Sequence, residues 1–295
     1  MKLRALAPAK VNLSLCLGPT REDGRHELVT LFQSLSLADV LELEVLMSGA
    51  QDHVACPGVE GENLAARALA ALRARGWDGP PVNLAIEKRI PIAAGMAGGS
   101  ADAAAALRLA MAVAPGRAEE VDAIAAGLGA DVPSQLTPGV ALGTGAGELI
   151  EHFEPLAAHA YVVLPSPFEL ATPDVFREAD RLGLPRSRAE LDVHYEALVS
   201  VLTPGARIPD DLLVNDLQPA AISLCPSIAQ TLEDVRAAGA EHALVSGSGP
   251  TVVGIWWGRD AADRASAGVR LLAERWPGAV AAHPVSTGYA LPSLI

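Results

Sequence analysis

Three observations predict an α+β protein with two lobes. Strand-like alternation and helix-like periodicity follow one another without a regular β-α-β repeat, which argues against a doubly wound parallel sheet. The chain has 295 residues and so exceeds the size at which a single hydrophobic core usually stops growing. Half of the residues are hydrophobic and 19% are charged, which is typical of a globular protein.

The first half is predicted to contain strands, helices and a glycine-rich turn. Alternating apolar residues predict strands over 3–7, 11–17, 35–46 and 82–88, and a strand with a turn over 139–147. A helix is predicted over 63–73, with Asn63 as its N-cap and Gly76 at its end. A second, alanine-rich helix is expected to begin at Ser100 as N-cap and to end before Pro115, and a shorter helix covers 118–127.

The second half is predicted to form a separate lobe. The segment 151–155 is expected to cross between the lobes, which places the domains at 1–152 and 153–295. Strands are predicted over 161–165, 243–246 and 251–257, and the last two are joined by a Gly-Ser-Gly-Pro turn. Helices are predicted near 174–182, 227–238 and 261–275, followed by a short terminal strand.

Composition excludes several functional classes. The net charge of −13 opposes binding to nucleic acid or to an anionic membrane, because such binding needs Lys and Arg to neutralise phosphates. No apolar run approaches the roughly 20 residues that span a bilayer, and the N-terminus lacks a long apolar signal segment, so a cytoplasmic protein is expected. Cys16, Cys56 and Cys225 lie far apart without metal-ligand spacing, and the seven histidines are equally scattered.

The most informative motif is the run Pro91-Ile92-Ala93-Ala94-Gly95-Met96-Ala97-Gly98-Gly99-Ser100-Ala101-Asp102. Its glycines permit positive φ and close approach of a ligand to the backbone. The following helix directs the positive end of its dipole at this loop, which is the arrangement that binds phosphate. The alternative is a glycine turn that merely starts a helix.

Three further positions are candidates for chemistry. The chain has three lysines among 22 basic residues, and Lys10 stands between apolar strands with Asn12 on the same side of the chain. Asp131 lies in a loop bounded by glycine and proline, where it either caps a turn or accepts a proton from a substrate hydroxyl. The Gly247-Ser248-Gly249 turn either connects a hairpin or offers backbone N–H groups to an anion.

Together, three motifs resemble those of the GHMP kinases, which include galactokinase, homoserine kinase and mevalonate kinase. They are Pro8-Ala9-Lys10-Val11-Asn12, the run 91–101, and Ser246-Gly247-Ser248-Gly249-Pro250. Within this family, four segments look like the branch that phosphorylates 4-diphosphocytidyl-2-C-methyl-D-erythritol in isoprenoid synthesis: Asp23-Gly24-Arg25-His26-Glu27-Leu28, 128–133, 141–148 and Asn215-Asp216-Leu217.

The resemblance implies a fold, a reaction and cofactors. The N-terminal lobe would bind ATP and resemble domain 2 of ribosomal protein S5, and the C-terminal lobe would be ferredoxin-like. ATP and Mg²⁺ would be the cofactors, and the γ-phosphoryl group would pass to the 2-hydroxyl group of the erythritol. Asp131 would take the hydroxyl proton, and Lys10 would hold that carboxylate ionised beside the transferred group.

The resemblance also implies the remaining site residues. The run 91–101, Asn63 and Lys88 would bind the nucleotide, with Ser100 as a candidate ligand of Mg²⁺. The acceptor would contact Asn12, Arg25, His26, Thr172, Phe176, Gly247, Ser248 and Gly249, with His26 hydrogen-bonded to the cytosine and Phe176 stacked on it. Phe176 could equally be a core residue of an amphipathic helix.

This sequence departs from the branch at the acceptor pocket. Arg25 stands where the branch commonly has tyrosine, and Ser134 and Gln135 replace the apolar or aromatic pair that usually follows Val-Pro. A guanidinium can stack on a base or pair with a diphosphate. Two alternatives therefore remain, a GHMP kinase with a changed acceptor and a catalytically silent paralogue that binds a ligand. The expected partner is a small molecule, and the expected state is a monomer or weak homodimer.

Overall fold

The structure, a computed structural model, describes residues 1–59, 61, 63–92 and 94–295. These residues form two sheets with helices packed on them, so the predicted α+β class is confirmed. The first half of the chain contributes β1 (Lys2–Thr20), β2 (His26–Val45), β3 (His53–Ala55), α1 (Leu64–Ala74), β4 (Val82–Glu87), α2 (Gly98–Val113), α3 (Ala118–Leu128), α4 (Val132–Leu136), β5 (Val140–Thr144) and β6 (Leu149–Phe153).

The second half contributes β7 (His159–Leu164), α5 (Thr172–Leu182), α6 (Arg188–Val201), α7 (Gln218–Leu224), α8 (Ser227–Ala237), β8 (His242–Val245), β9 (Val252–Trp257), α9 (Ala261–Leu272), β10 (Val280–Ala282) and β11 (Ser293–Leu294). Its four-stranded sheet has the order β10-β7-β9-β8, and every neighbouring pair is antiparallel. This order and the two crossovers through helices make the predicted ferredoxin-like lobe.

The N-terminal sheet has the order β11-β1-β2-β4-β3, with β5 on β2 and β6 on β5. Its strands are antiparallel except for β3 and β4, which run parallel. The C-terminal strand β11 returns to this sheet and pairs with the start of β1, where Leu294 lies opposite Leu3. The chain therefore ends on the N-terminal lobe.

β1 is one continuous strand, so the predicted separation of 3–7 from 11–17 is wrong. Pro8 pairs with Ala38, and the register shifts before Lys10, which is a bulge that accommodates the missing N–H group of proline. The strand stays extended because it crosses three hydrophobic cores in turn. Ala7 belongs to the core under α1 and α2, Val11 to the core between the sheets, and Leu17 to the core of the C-terminal lobe.

Other local predictions have mixed outcomes. Asn63 caps α1, because its side chain accepts the N–H groups of Ala65 and Ala66. The helices near 174–182, 227–238 and 261–275 are present as α5, α8 and α9. The predicted crossing at 151–155 is wrong over most of its length, because residues through Phe153 pair with β5 as β6. The helices α4, α6 and α7 were not predicted.

Candidate active site

Lys10 and Asp131 are brought together by elements that lie far apart in the chain. The Lys10 Nζ atom lies 2.8 Å from the Asn12 Oδ1 atom and 3.6 Å from the Asp131 Oδ2 atom. The Lys10 residue is only 4% exposed, whereas the Asp131 side chain is 37% exposed. One buried cation therefore faces a carboxylate that solvent and a ligand can reach.

Local structure fixes the direction of both side chains. Lys10 and Asn12 are two residues apart on β1, so their side chains lie on the same face of the strand. The Asn12 amide group donates to Thr30 Oγ1 on β2 at 2.7 Å. The Phe32 ring lies 5.4 Å from the Lys10 Nζ atom, close enough for a cation–π contact. Asp131 precedes α4 at the N-cap position, but its side chain makes no capping hydrogen bond. Its carboxylate is thus available for Lys10 and for a substrate.

A cavity of about 350 Å³ opens in front of this pair. Its walls come from both lobes: Lys10, Asn12, Leu15, Leu28, Thr30, Phe32, Gly95, Ala97, Ser100, Ala130, Asp131, Ala146, Gly147, Thr172, Phe176, Leu217, Gly247 and Ser248. The floor is polar at Lys10 and Asp131 and apolar toward Phe176. This combination suits a ligand that has a reactive polar group and a flat apolar part.

The glycine-rich run forms a tight loop before α2, although its details differ from the prediction. Gly95 has a φ of +69°, whereas Gly98 and Gly99 already lie in the helix. Ala97 is the N-cap in left-handed conformation, with a φ of +55°, so the assignment of Ser100 as N-cap is wrong. The N–H groups of the first turn have no acceptor within the helix, and together with the helix dipole they can bind an anion.

The glycine loop is packed against the Gly247-Ser248-Gly249 turn. A Cβ atom on Gly95 would lie 2.7 Å from the Ser246 carbonyl oxygen and 2.8 Å from that of Gly249. The Ser246 hydroxyl group donates to the Gly95 carbonyl oxygen at 3.3 Å. Gly247 and Gly249 both have positive φ. Only glycines allow the two backbones to approach this closely.

A second cavity of about 320 Å³ lies on the other side of the glycine loop. It shares Gly95 and Ala97 with the first cavity, and its apolar lining includes Leu64, Ile90 and Met96. The remaining predicted nucleotide residues that line it are Asn63, Lys88, Pro91, Ile92, Ala94, Gly98 and Gly99. Ala93 lies outside the described residues, and Ala101 is buried in the core under α2.

Lys88 is held by two buried carboxylates. Its Nζ atom lies 2.5 Å from Asp39 Oδ2 and 2.7 Å from Asp102 Oδ2. Asp39 also accepts the N–H groups of Arg89 and Ile90. Burial raises the pKa of Asp102 to about 7, and the neighbouring Asp39 carboxylate acts in the same direction against the effect of Lys88. The attraction of the carboxylates raises the pKa of Lys88 despite its burial.

The predicted acceptor residues do not all reach the first cavity. Phe176, Thr172 and Ser248 line it, and the hydroxyl groups of the latter two are 2.9 Å apart. His26 is buried behind Phe176, with ring centroids 5.6 Å apart. The His26 Nδ1 atom donates to the Gly18 carbonyl oxygen at 2.8 Å, and Asp180 lies 3.2 Å from Nε2. His26 thus supports Phe176 and is absent from the cavity lining.

Arg25, Ser134 and Gln135, the residues that depart from the branch, do not line this cavity. Arg25 is exposed and pairs with Asp23 at 2.9 Å. Ser134 donates to the Asp131 carbonyl oxygen, and Gln135 is buried. None of the three belongs to the residues that line the cavity. The described geometry therefore gives no support to a reshaped acceptor pocket.

The sequence assigned no role to Thr30 and Phe32 of the first cavity or to Asp102 of the second. It also assigned none to Asp39, which contacts Lys88 beside the second cavity without lining it. Asp39 could have been noticed as a carboxylate inside the apolar stretch 35–46, since a charge within a buried strand demands a partner. Phe32 and Thr30 alternate with buried residues of β2, a pattern equally typical of core positions.

Comparisons with known proteins agree with this architecture. Residues 63–139 match the GHMP kinases N-terminal domain, and residues 206–273 match the GHMP kinases C-terminal domain. A solved homoserine kinase from Cytophaga hutchinsonii covers 100% of this chain, and the chain covers 97% of it, with a TM-score of 0.70 at 15% identity. The matched domains and the fold define a kinase of the GHMP class.

More similar relatives narrow this class. A 4-diphosphocytidyl-2-C-methyl-D-erythritol kinase from Streptomyces coelicolor is 45% identical over 85% of this chain and 86% of its own length. A kinase of the same name from Rhodococcus jostii is 42% identical over 88% of this chain and 86% of its own length. A solved kinase of the same activity aligns over 95% of this chain and 98% of its own, with a TM-score of 0.76 and 35% identity. The chain belongs to the 4-diphosphocytidyl-2-C-methyl-D-erythritol kinases of the GHMP family.

Among the described residues, no helix is both long enough and apolar enough to cross a membrane. The described part of the chain also contains no group of three or more His, Cys, Asp or Glu side chains arranged to hold a metal ion.

Proposed function

We propose that this chain transfers the γ-phosphoryl group of ATP to the 2-hydroxyl group of 4-diphosphocytidyl-2-C-methyl-D-erythritol. The observation that carries the proposal is the Lys10–Asp131 pair, which lies in a cavity that meets the nucleotide-side cavity at Gly95 and Ala97. The names of the relatives supply the identity of the acceptor. Because the reaction consumes ATP, we also propose a cytoplasmic location.

Each of the two cavities would bind one of the two substrates. The nucleotide would occupy the cavity lined by Asn63 and Lys88, with its phosphates on the first-turn N–H groups of α2. The acceptor would occupy the other cavity, with the cytosine ring against Phe176 and its hydroxyl group at Asp131. In this arrangement the terminal phosphate would lie at the shared glycine loop, between the two ligands.

The residues at the junction would promote transfer by position and charge. Asp131 accepts the proton of the attacking hydroxyl group, and its exposure leaves room for that contact. The Lys10 ammonium neutralises charge on the oxygens of the transferred phosphoryl group, and its burial makes this effect stronger than it would be in water. Asn12 and Phe32 hold the lysine in place.

Mg²⁺ fits this site as an ion held mainly by phosphate oxygens. Magnesium in such sites commonly takes only one or two carboxylates from the protein, together with waters and phosphates. Ser100 lines the cavity, and its hydroxyl group would join the phosphate oxygens and waters around the ion, while the Asp131 carboxylate stays free for the acceptor proton. When bound, Mg²⁺ would neutralise the phosphates and orient them.

The test measures ATP consumption with four acceptors: the cytidine-diphosphate substrate, mevalonate, homoserine and galactose. We expect turnover with the first acceptor only, and its loss in Asp131→Asn. Asp122→Asn, on the exposed face of α3, is the matched control and should retain activity. Turnover of a different acceptor alone would contradict the proposal, and ATP binding without any turnover would support the silent paralogue.

A further inference from the structure

Asn12 is the closest acceptor of the Lys10 ammonium, and only one end of its amide group can accept. An ammonium has donors only, so the Asn12 Oδ1 atom accepts from it at 2.8 Å, whereas an NH₂ group in that place would oppose it. The two ends of an amide have nearly the same shape, so packing alone does not choose between them. Lys10 and Asn12 are only 4% and 2% exposed. A buried neighbour must therefore set the orientation of this amide.

Thr30 is the neighbour that sets this orientation. Its Oγ1 atom lies 2.7 Å from the Asn12 Nδ2 atom and 2.8 Å from the Ser14 carbonyl oxygen. A carbonyl oxygen only accepts, so the single hydroxyl proton of Thr30 is committed to Ser14, and Oγ1 can only accept from Asn12. The NH₂ group of Asn12 therefore faces Thr30, and its Oδ1 atom faces Lys10.

The strand itself does not need the hydroxyl group of Thr30. This residue is buried on β2, and valine, which has the same branched shape, would suit the strand equally well. The register of β1 against β2 shifts between Asn12 and Ser14. Such a bulge redirects the groups around it, and here the Ser14 carbonyl oxygen lies within reach of the hydroxyl group on β2. The hydroxyl group thus adds a polar connection between the two strands, next to Lys10.

We propose that Thr30 is a positioning residue for phosphoryl transfer, because its hydroxyl group orients the Asn12 amide so that Oδ1 holds the Lys10 ammonium. The inference rests on the proposed function for the step that Lys10 assists. Without the hydroxyl group, the buried NH₂ group of Asn12 loses its acceptor, and the amide can turn its donors toward Lys10. The ammonium then retains the Asp131 carboxylate, 3.6 Å away, and is no longer held in its place beside the transferred group.

The first test compares Thr30→Val with Thr30→Ser by steady-state kinetics. We expect Thr30→Val to lower kcat at least about tenfold with little change in either KM, because a displaced catalytic group slows the reaction without weakening binding. Thr30→Ser keeps the hydroxyl group and should retain most of the kcat. A packing role predicts the opposite order, since serine loses the methyl group that valine keeps, and that order would overturn the proposal. A higher KM for the acceptor at unchanged kcat would also overturn it, because the hydroxyl group would then bind the ligand directly.

The second test asks whether Thr30 acts through Asn12. Residues that act as a unit are not additive, so Thr30→Val should lower kcat no further when it is combined with Asn12→Ala. A full additional loss in the double variant would overturn the proposal. Thr231→Val is the matched control, because Thr231 is also buried and its hydroxyl group also donates to a carbonyl oxygen, that of Ser227, but it lines neither cavity. We expect an unchanged kcat in this control, and a loss equal to that of Thr30→Val would contradict the assignment.

The third test uses NMR of the protein without substrates and needs no turnover. The signal of the Asn12 NH₂ group is assigned by its loss in Asn12→Ala. We expect slow exchange of its protons with solvent in the parent and in Thr30→Ser, and exchange at least about tenfold faster in Thr30→Val, because a bonded buried group is protected. Equal exchange in Thr30→Val and the parent would overturn the proposal. Exchange that depends on Thr30 in a protein without turnover would support the orientation of Asn12 and reject the proposed function alone.

Discussion

The Lys10 ammonium lies 3.6 Å from the Asp131 carboxylate, although the first belongs to β1 and the second precedes α4. The contact is asymmetric, because the lysine is buried and the aspartate is partly open to the cavity. The buried partner also has a second hydrogen bond, to Asn12. This arrangement supplies a fixed positive charge beside a carboxylate that can exchange a proton with a ligand.

Replacement of Lys10 by alanine tests the role of this charge. We expect kcat to fall at least about a hundredfold, because a buried charge beside the transferred group stabilises the transition state. Lys2→Ala is the control, since Lys2 is exposed and pairs with Glu44 at the edge of the sheet. Steady-state kinetics and thermal melting are measured together. A kcat within threefold of the parent would reject the role of Lys10.

Gly95→Ala tests the close approach of the two glycine turns. Gly95 and Gly49 both have positive φ, of +69° and +89°, so alanine strains either backbone. At Gly95 the new Cβ atom also meets two carbonyl oxygens within 2.8 Å, whereas at Gly49 nothing lies within 4 Å. We expect Gly95→Ala to raise the KM for ATP at least about tenfold and to lower Tm more than Gly49→Ala does. Equal effects of the two variants would show that the contact is unimportant.

His159 makes the stability of the fold depend on pH. Burial lowers its pKa to about 4, although the bond from Nδ1 to the Ala157 carbonyl oxygen acts in the opposite direction. The folded state therefore keeps the ring neutral, while the unfolded chain takes up a proton near pH 6.5. Because the unfolded state binds more protons between these values, stability falls as the pH drops from 6.5 toward 4.

Between pH 8 and pH 5, we expect protonation linked to His159 to lower the free energy of unfolding by roughly 2 kcal/mol. Urea unfolding at both pH values measures it, and His159→Gln should reduce the difference by about that amount. His53→Gln, at an exposed histidine, is the control and should leave the difference intact. If His159→Gln retains the full pH dependence, another group is responsible.

Phe176→Ala tests the acceptor side of the cavity. Phe176 lines the cavity and packs on His26, so its removal takes away the flat apolar surface proposed for the cytosine. We expect the KM for the acceptor to rise about tenfold with little change in the KM for ATP, since a tenfold change corresponds to about 1.4 kcal/mol. Phe168→Ala is the matched control, because that ring is 57% exposed and does not line the cavity. A rise in both KM values would indicate general disruption instead.

Local patterns in the sequence predicted a large part of the elements. The cap at Asn63, the helix α5 and the strand pair β8 and β9 follow from side chains close together in the chain. The predictions failed where distant contacts override local preference. Pro8 indicated a break, but pairing with β2 and burial in successive cores keep β1 extended. Ser100 has the chemistry of an N-cap, yet the chain turns into the helix earlier, at Ala97.

The same division applies to the candidate site. Lys10, Asp131 and the glycine loop were identified from residue types and motif order, and the family that these motifs indicate is the one to which the relatives belong. The sequence had no means of showing that Asp39 and Asp102 share Lys88, because these residues meet only when β2, β4 and α2 pack together. The assignment of His26 to the cytosine stays a prediction, and the sequence did not show that the fold packs this ring between Gly18 and Asp180.

The sequence by itself determined the family and the candidate chemical groups of the site, because catalytic motifs are short and their residue types are set by the chemistry. Only the tertiary structure decided which of those groups are exposed, which are paired and which retain free bonding capacity. The physical reason is that burial, hydrogen-bond partners and charge are properties of the packed chain. Lys88 shows this clearly, since its two carboxylate partners, Asp39 of β2 and Asp102 of α2, meet it only in the packed chain.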